Sequence, residues 1–227
     1  MSAITELPCE VIAAILRNLD NVQSLGPALL ACRHFYASFK QYHGIEAAIL
    51  RRQVTPALLP YSVALLEASP SSWPHSDLLD TLSNDPAQLS ARVSSMPVSS
   101  LGIMARMHEL IRSLATSFAT EAWARLSSGN DGDGDGCGGL VPSPAEDFRF
   151  CRAFYRLELF YRLARGGGDQ TGGNFAEDID SWFFSRQPLW ENEQIGCAHE
   201  FLEAKFCQGM AWALVLFSSP PCRNYTS

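Results

Sequence analysis

The chain has 227 residues and a mass of 25.0 kDa, enough for one large domain or for a small one joined to a larger. With 47% hydrophobic and 18% charged residues, its composition is globular and excludes a disordered chain. A formal net charge of −7 argues against general affinity for nucleic acid or an anionic membrane, both of which need a positive field.

Residues 1–44 carry the densest set of helix signals. Pro8 suits the first position of a helix, where its missing N–H costs nothing, and Glu10 then falls in the first turn, where a carboxylate complements the helix dipole. Val11, Ile12, Ile15, Leu16 and Leu19 follow at helical spacing and give one wide apolar face. Asp20 and Asn21 end that helix, because short polar side chains compete for the backbone. Ser24 is placed to cap a second helix carrying Leu25, Leu29 and Leu30, with Pro27 tolerated in its first turn. Cys32-Arg33-His34-Phe35-Tyr36 leads into a third helix with Phe35, Phe39 and Tyr42 in register, and Gly44 is suited to end it in a left-handed conformation. So short a segment cannot cover this much Leu, Ile and Phe by itself, so the surplus goes to the rest of the chain or to another protein.

The ordered set Leu7-Pro8-Cys9-Glu10, Val11-Ile12, Ile15-Leu16, Leu19, Leu25, Leu29-Leu30 and Cys32-Arg33-His34-Phe35-Tyr36 resembles an F-box, in particular those of filamentous fungi. It covers about a fifth of the chain and departs from the family pattern at Cys9, where a second Pro is frequent, and at Gly26-Pro27, which interrupts a Leu/Ala-rich helix. The resemblance implies a docking surface for a Skp-type adaptor and, through it, a cullin–RING ubiquitin ligase. It implies Leu7, Pro8, Val11, Ile12, Ile15, Leu16, Leu25, Leu29, Cys32 and Phe35 as adaptor-facing or supporting residues.

Residues 45–127 read as a helical region. Ile45, Ile49 and Val54 face inward from a short helix whose Arg51 and Arg52 face outward, and Thr55-Pro56 restarts the chain. Pro60 opens a helix through Leu66 that ends near Ser69, and Pro70 to Pro74 is a Ser/Pro break. Two short helical pieces follow, Asp77 to Leu82 and Pro86 to Val93, the second capped by Asp85. From Ser99 to Ser127, the residues Leu101, Met104, His108, Ile111, Ala115, Phe118, Ala122 and Leu126 recur at threes and fours. That spacing predicts a helix of about 40 Å, a strut for a helical stack.

Residues 128–142 form a Gly/Asp loop that cannot offset the entropy of ordering and reads as mobile. Ser143-Pro144-Ala145-Glu146 is a capping box opening a helix to Arg165. Its apolar stripe, Phe150, Phe154, Leu157 and Tyr161 beside Cys151, Tyr155, Leu159 and Leu163, predicts burial on most of the circumference. Arg149, Arg152 and Arg156 are assigned to the remaining polar face, and Glu158–Arg162 is a favourable pair. A second glycine-rich loop spans 166–173. Asp178 to Arg186 carries Trp182, Phe183 and Phe184. Pro188 then leads into a helix from Leu189 to about Phe217, with Trp190, Ile195, Ala198, Leu202, Phe206, Met210, Ala213 and Phe217 inward. Pro220-Pro221 stops that helix, and the tail from 218 to 227 does not read as a natural domain end. No strand alternation and no repeat appear, so the expected class is all-α: a three-helix N-terminal module over 1–44, then an irregular helical stack over 45–127 and 143–217.

Chemical motifs are few. Asp131-Gly132-Asp133-Gly134-Asp135-Gly136 imitates half an EF-hand loop, but Pro142 stands where the bidentate Glu belongs, which leaves an acidic linker. Gly134-x-Gly136-x-x-Gly139 follows no strand and starts no helix, so it is no dinucleotide fingerprint. His199-Glu200-Phe201-Leu202-Glu203 lacks the second His that a zinc-protease helix needs. The five histidines form no arrangement with a nucleophile and an acid, and no G-x-S-x-G occurs. The seven cysteines make no C-x-x-C pair, their number is odd, and no secretory signal opens the chain, so reduced thiols in cytoplasm or nucleus are expected. The longest apolar run, Met210 to Phe217, is far too short to span a bilayer.

The expectation is therefore a non-enzymatic binding protein with no cofactor, no metal, no nucleic-acid partner and no membrane partner. It engages a Skp-type adaptor through residues 1–44 and an unknown target through the helical remainder, where a few exposed aromatics would concentrate binding energy. The alternative is a helical interaction scaffold outside the ubiquitin system, its first lobe folded into its own core.

Overall fold

The computed structural model describes residues 7–68, 76–128, 142–166 and 183–218. The expected Ser/Pro break, both glycine-rich loops, Trp182 and the Pro220-Pro221 stop lie outside the described residues. Among the described residues there are ten α-helices and no strand, so the all-α class holds. The helices are α1 (Cys9–Arg17), α2 (Leu25–Ala31), α3 (Arg33–Gln41), α4 (Ile45–Gln53), α5 (Leu59–Glu67), α6 (Ser76–Asn84), α7 (Pro86–Arg92), α8 (Val98–Ser128), α9 (Pro144–Gly166) and α10 (Leu189–Ser218). Short 3₁₀ turns at Val22–Ser24 and Val93–Ser95 lead into and out of the short helices.

Local chemistry sets most boundaries, with small displacements. Pro8 is the N-cap of α1 and not its first residue; its carbonyl accepts from the N–H groups of Val11 and Ile12 at 3.0 and 3.2 Å. Asn21, and not Ser24, does the capping before α2: its Oδ1 accepts from the Ser24 N–H at 2.8 Å. The 3₁₀ turn runs straight into α2, which leaves Ser24 already in a helical conformation. Gly44 adopts φ +75°, a left-handed backbone that favours glycine, but it heads α4; α3 has already ended at Gln41 with the Tyr42 N–H on the Ser38 carbonyl at 3.0 Å. Asp85 caps α7 through the Gln88 N–H at 3.3 Å. The capping box of α9 is complete, with the Ser143 N–H on Glu146 Oε2 at 2.8 Å and the Glu146 N–H on Ser143 Oγ at 3.3 Å.

The core runs through the middle of the chain. α9 lies between α8, α10 and α5, and α5 also packs on α7, α6 and α8. Phe118 of α8 meets Phe150, Phe154 and Phe201 edge-on at 5.4, 6.1 and 5.4 Å, which ties α8, α9 and α10 at one point. α4 rests on α8, α1 packs on α4 and α3, and α2 packs on α3. Ile45, Ile49, Val54, Val63, Met104, Ala115 and Leu159 are buried as their spacing predicts.

Two expectations fail here. Arg152 and Arg156, assigned to a polar outer face, are only 8% and 3% exposed. α9 is covered all round from Cys151 to Leu157, because α5 and α10 close on both sides of it. Both guanidiniums reach Glu191 of α10, at 2.8 and 2.9 Å, which makes their burial tolerable. Conversely, Trp190 and Phe206, expected inward, are exposed. α10 packs through Glu191, Ile195, Ala198 and Phe201, one residue out of phase with Trp190, and every residue from 203 to 209 is exposed. Glu158 and Arg162 pair as expected at 2.9 Å.

Candidate functional site

α1 has two apolar faces. Ile12, Ala13 and Leu16 are turned inward and essentially sealed, with Ile12 at 0% exposure. Pro8, Val11 and Ile15, at helical spacing on the other side, face solvent, with Val11 41% and Ile15 43% exposed. The ten residues assigned to adaptor binding thus fall into three groups. Pro8, Val11 and Ile15 are exposed; Leu7, Leu29, Cys32 and Phe35 are half-buried; Ile12, Leu16 and Leu25 are buried. Two large exposed apolar residues of the same helices were not in that set, Leu30 of α2 at 90% exposure and Tyr36 of α3. Each follows directly on a half-buried partner, Leu29 and Phe35, so a turn of about 100° per residue carries it outward.

The inward side is fastened by polar clips as well as by packing. The Val22 N–H donates to Gln53 Oε1 at 3.2 Å, and Gln53 Nε2 donates to Glu109 Oε1 at 3.0 Å, joining the turn before α2 to α4 and α8. Arg52 Nη1 donates to Asn18 Oδ1 at the end of α1. Within the module, His34 Nε2–H donates to the Leu7 carbonyl at 2.9 Å and the Tyr42 hydroxyl to Glu10 Oε1 at 2.7 Å. Backbone hydrogen bonding at the helix start, with Tyr42 second, holds the Glu10 carboxyl below its ordinary range. Glu10 in turn raises the Tyr42 phenol. α1 is therefore held in one orientation, with its outward face uncovered among the described residues.

Such a face offers burial and no reactive chemistry. Covering the exposed two-fifths of a side chain such as Val11 or Ile15 is worth about 1 kcal/mol. Elsewhere, the described residues hold no group of three or more metal-ligating side chains, and His199 and Glu203 are exposed on α10. The acidic loop of Asp131 to Asp135 lies outside the described residues. No helix among the described residues is long and apolar enough to cross a membrane. No protein-family model, no curated protein and no solved structure matches this chain.

Proposed function

We propose that the protein is the substrate-receptor subunit of an SCF-type cullin–RING ubiquitin ligase. Its first three helices grip a Skp-type adaptor, and the helical remainder holds a target protein. The observation that carries this reading is the outward face of α1: the helix that follows Leu7-Pro8 turns Pro8, Val11 and Ile15 to solvent from a base its own chain has already fixed. The ordered F-box-like residues supply the kind of partner. The chain itself performs no chemistry; the ligase would act on the target by raising its local concentration and orienting it. A reduced, intracellular setting fits the cysteines, of which Cys9, Cys32, Cys151, Cys197 and Cys207 are free.

The test replaces Val11→Glu and Ile15→Glu together and asks whether a Skp-type adaptor still co-purifies. Loss of the adaptor with an unchanged circular-dichroism spectrum and melting point is the expected result. Undiminished co-purification rejects the ligase assignment in favour of an ordinary helical scaffold. Leu7→Ala with Pro8→Ala is the milder companion, trimming the same face at its start.

A further inference from the structure

A cavity of about 330 Å³ lies between α5, α6, α9 and the segment that enters α10. Its apolar wall is made by Leu79, Leu82, Leu159 and Phe183. Three charged side chains line it too: Arg156, of which only 3% is exposed, its partner Glu191, and Arg186, which pairs with Asp80.

The charges around Arg156 do not balance locally. Glu191 is the shared anion of two buried cations: its Oε1 takes Arg152 Nη1 at 2.8 Å and its Oε2 takes Arg156 Nη1 at 2.9 Å. Arg152 is otherwise satisfied, with Nη2 on Gln194 Oε1 at 3.1 Å and its guanidinium 5.2 Å from the rings of both Phe148 and Trp190. Arg156 stacks on Phe183 at 5.5 Å, but its Nη2 is buried with no hydrogen-bond acceptor among the described residues. Two guanidiniums against one carboxylate leave a buried positive charge and unmet donors, a combination that destabilises unless something completes it. Each oxygen of Glu191 accepts from one guanidinium Nη1, and neither accepts from Arg156 Nη2.

We propose that this cavity binds a carboxylate on an apolar body, the carboxylate paired with Arg156 and the body against the leucines and Phe183. A guanidinium offers a planar pair of donors that fits a carboxylate edge to edge. A volume near the lower end for ligand sites suits a group the size of one amino-acid residue. The acid is either a free small molecule or the terminal residue of a peptide. This inference is independent of the ligase assignment, because it concerns the purified chain without an adaptor.

Titration calorimetry of the full chain with 4-methylpentanoate, its neutral amide, and a short peptide ending in leucine with either a free or an amidated C-terminus tests it. The expected result is saturable binding of at least one acid, with the matching amide weaker by about tenfold or more, since a charge-assisted pair is lost. Tighter binding of the free-acid peptide than of 4-methylpentanoate assigns the site to a peptide terminus, and the reverse assigns it to a small acid. Arg156→Met should abolish binding while the chain stays folded, because it leaves Arg152 and Glu191 as a balanced pair. Ser83→Trp, an exposed wall position, should block the cavity without touching the charges. Absence of binding by both acids, equal binding of acid and amide, or full binding by folded Arg156→Met would each overturn the proposal.

Discussion

The two ends of the molecule invert the usual distribution of side chains in opposite ways. At the N-terminus, α1 leaves Val11 and Ile15 in solvent while Arg52 holds the end of the helix through Asn18 and Gln53 holds the turn after it through Val22. In the α9–α10 body, Arg152, Arg156 and Glu191 are buried while Trp190 and Phe206 face outward. Scattered exposed apolar residues are ordinary, but buried charges and a fixed apolar face on a short helix are not. The first region is stable because of what lies beneath it and is available because of what does not cover it. The second depends on one carboxylate, and the sharpest way to separate the two is to remove it.

Glu191→Ala should be the most damaging single change in the chain. It strands two buried guanidiniums, a loss of about 3–5 kcal/mol or outright failure to fold, read by urea denaturation. Arg156→Met in the same assay should cost little or stabilise, since the remaining pair is balanced. Equal damage from both would mean that Glu191 does not carry the charge balance of this region.

Neighbouring isoleucines divide the N-terminal region just as sharply. Ile12→Asp puts an unpaired carboxylate into a sealed site and should cost about 3 kcal/mol or more. Ile15→Asp, on the exposed face of the same helix, should cost only about 1 kcal/mol, for its partly covered side chain and an anion in the last turn. If thermal melts show the two to be alike, α1 has no free face.

A third probe reads the seam between the regions. His108 of α8 is buried beside Tyr155 of α9, whose hydroxyl lies 3.0 Å from Nδ1. Burial, helped by Arg112 and opposed by the Gln53 backbone and Asp147, pushes the His108 pKa down to about 4. The native chain therefore keeps this imidazole neutral where the unfolded chain, with an ordinary value near 6.5, takes up a proton. That contribution is present in full above about pH 6.5 and is lost as pH falls towards about 4, on the order of 3 kcal/mol in all. The slope of stability against pH in that window should flatten in His108→Phe; an unchanged slope would assign the acid sensitivity to other groups.

What could be read from the sequence follows the reach of each interaction. Helices, the Asp85 cap, the left-handed Gly44 and the inward stripe of α8 depend on neighbours within a turn or two, and those signals were legible. The burial of Arg152 and Arg156 was not, because Glu191 lies 35 residues beyond Arg156 and nothing local announces it. The same holds for His108 and Tyr155, 47 residues apart. The wide apolar face of α1 was plain, but Ile12 and Ile15 are equivalent as letters. Only the placement of α3 and α4 decides which one is sealed. Trp190 and Phe206 went wrong for the same reason: the phase of α10 is set by its contact with α9 and not by its own pattern.

The weakest perturbation tests this distinction between local and distant causes. Ser143→Ala removes the acceptor of the Glu146 N–H and one of the two groups that Glu146 Oε2 binds. Ser143 also holds the Glu146 carboxyl below its ordinary range. Both residues are solvent-exposed and touch no other helix through these bonds, so the loss should be about 1 kcal/mol, the usual worth of a cap. It should also be local, with amide exchange accelerated over the first turn of α9 and unchanged at Tyr155, where the helix is held by its neighbours. Acceleration spreading to Tyr155 would show that the start of α9 supports the charged core behind it.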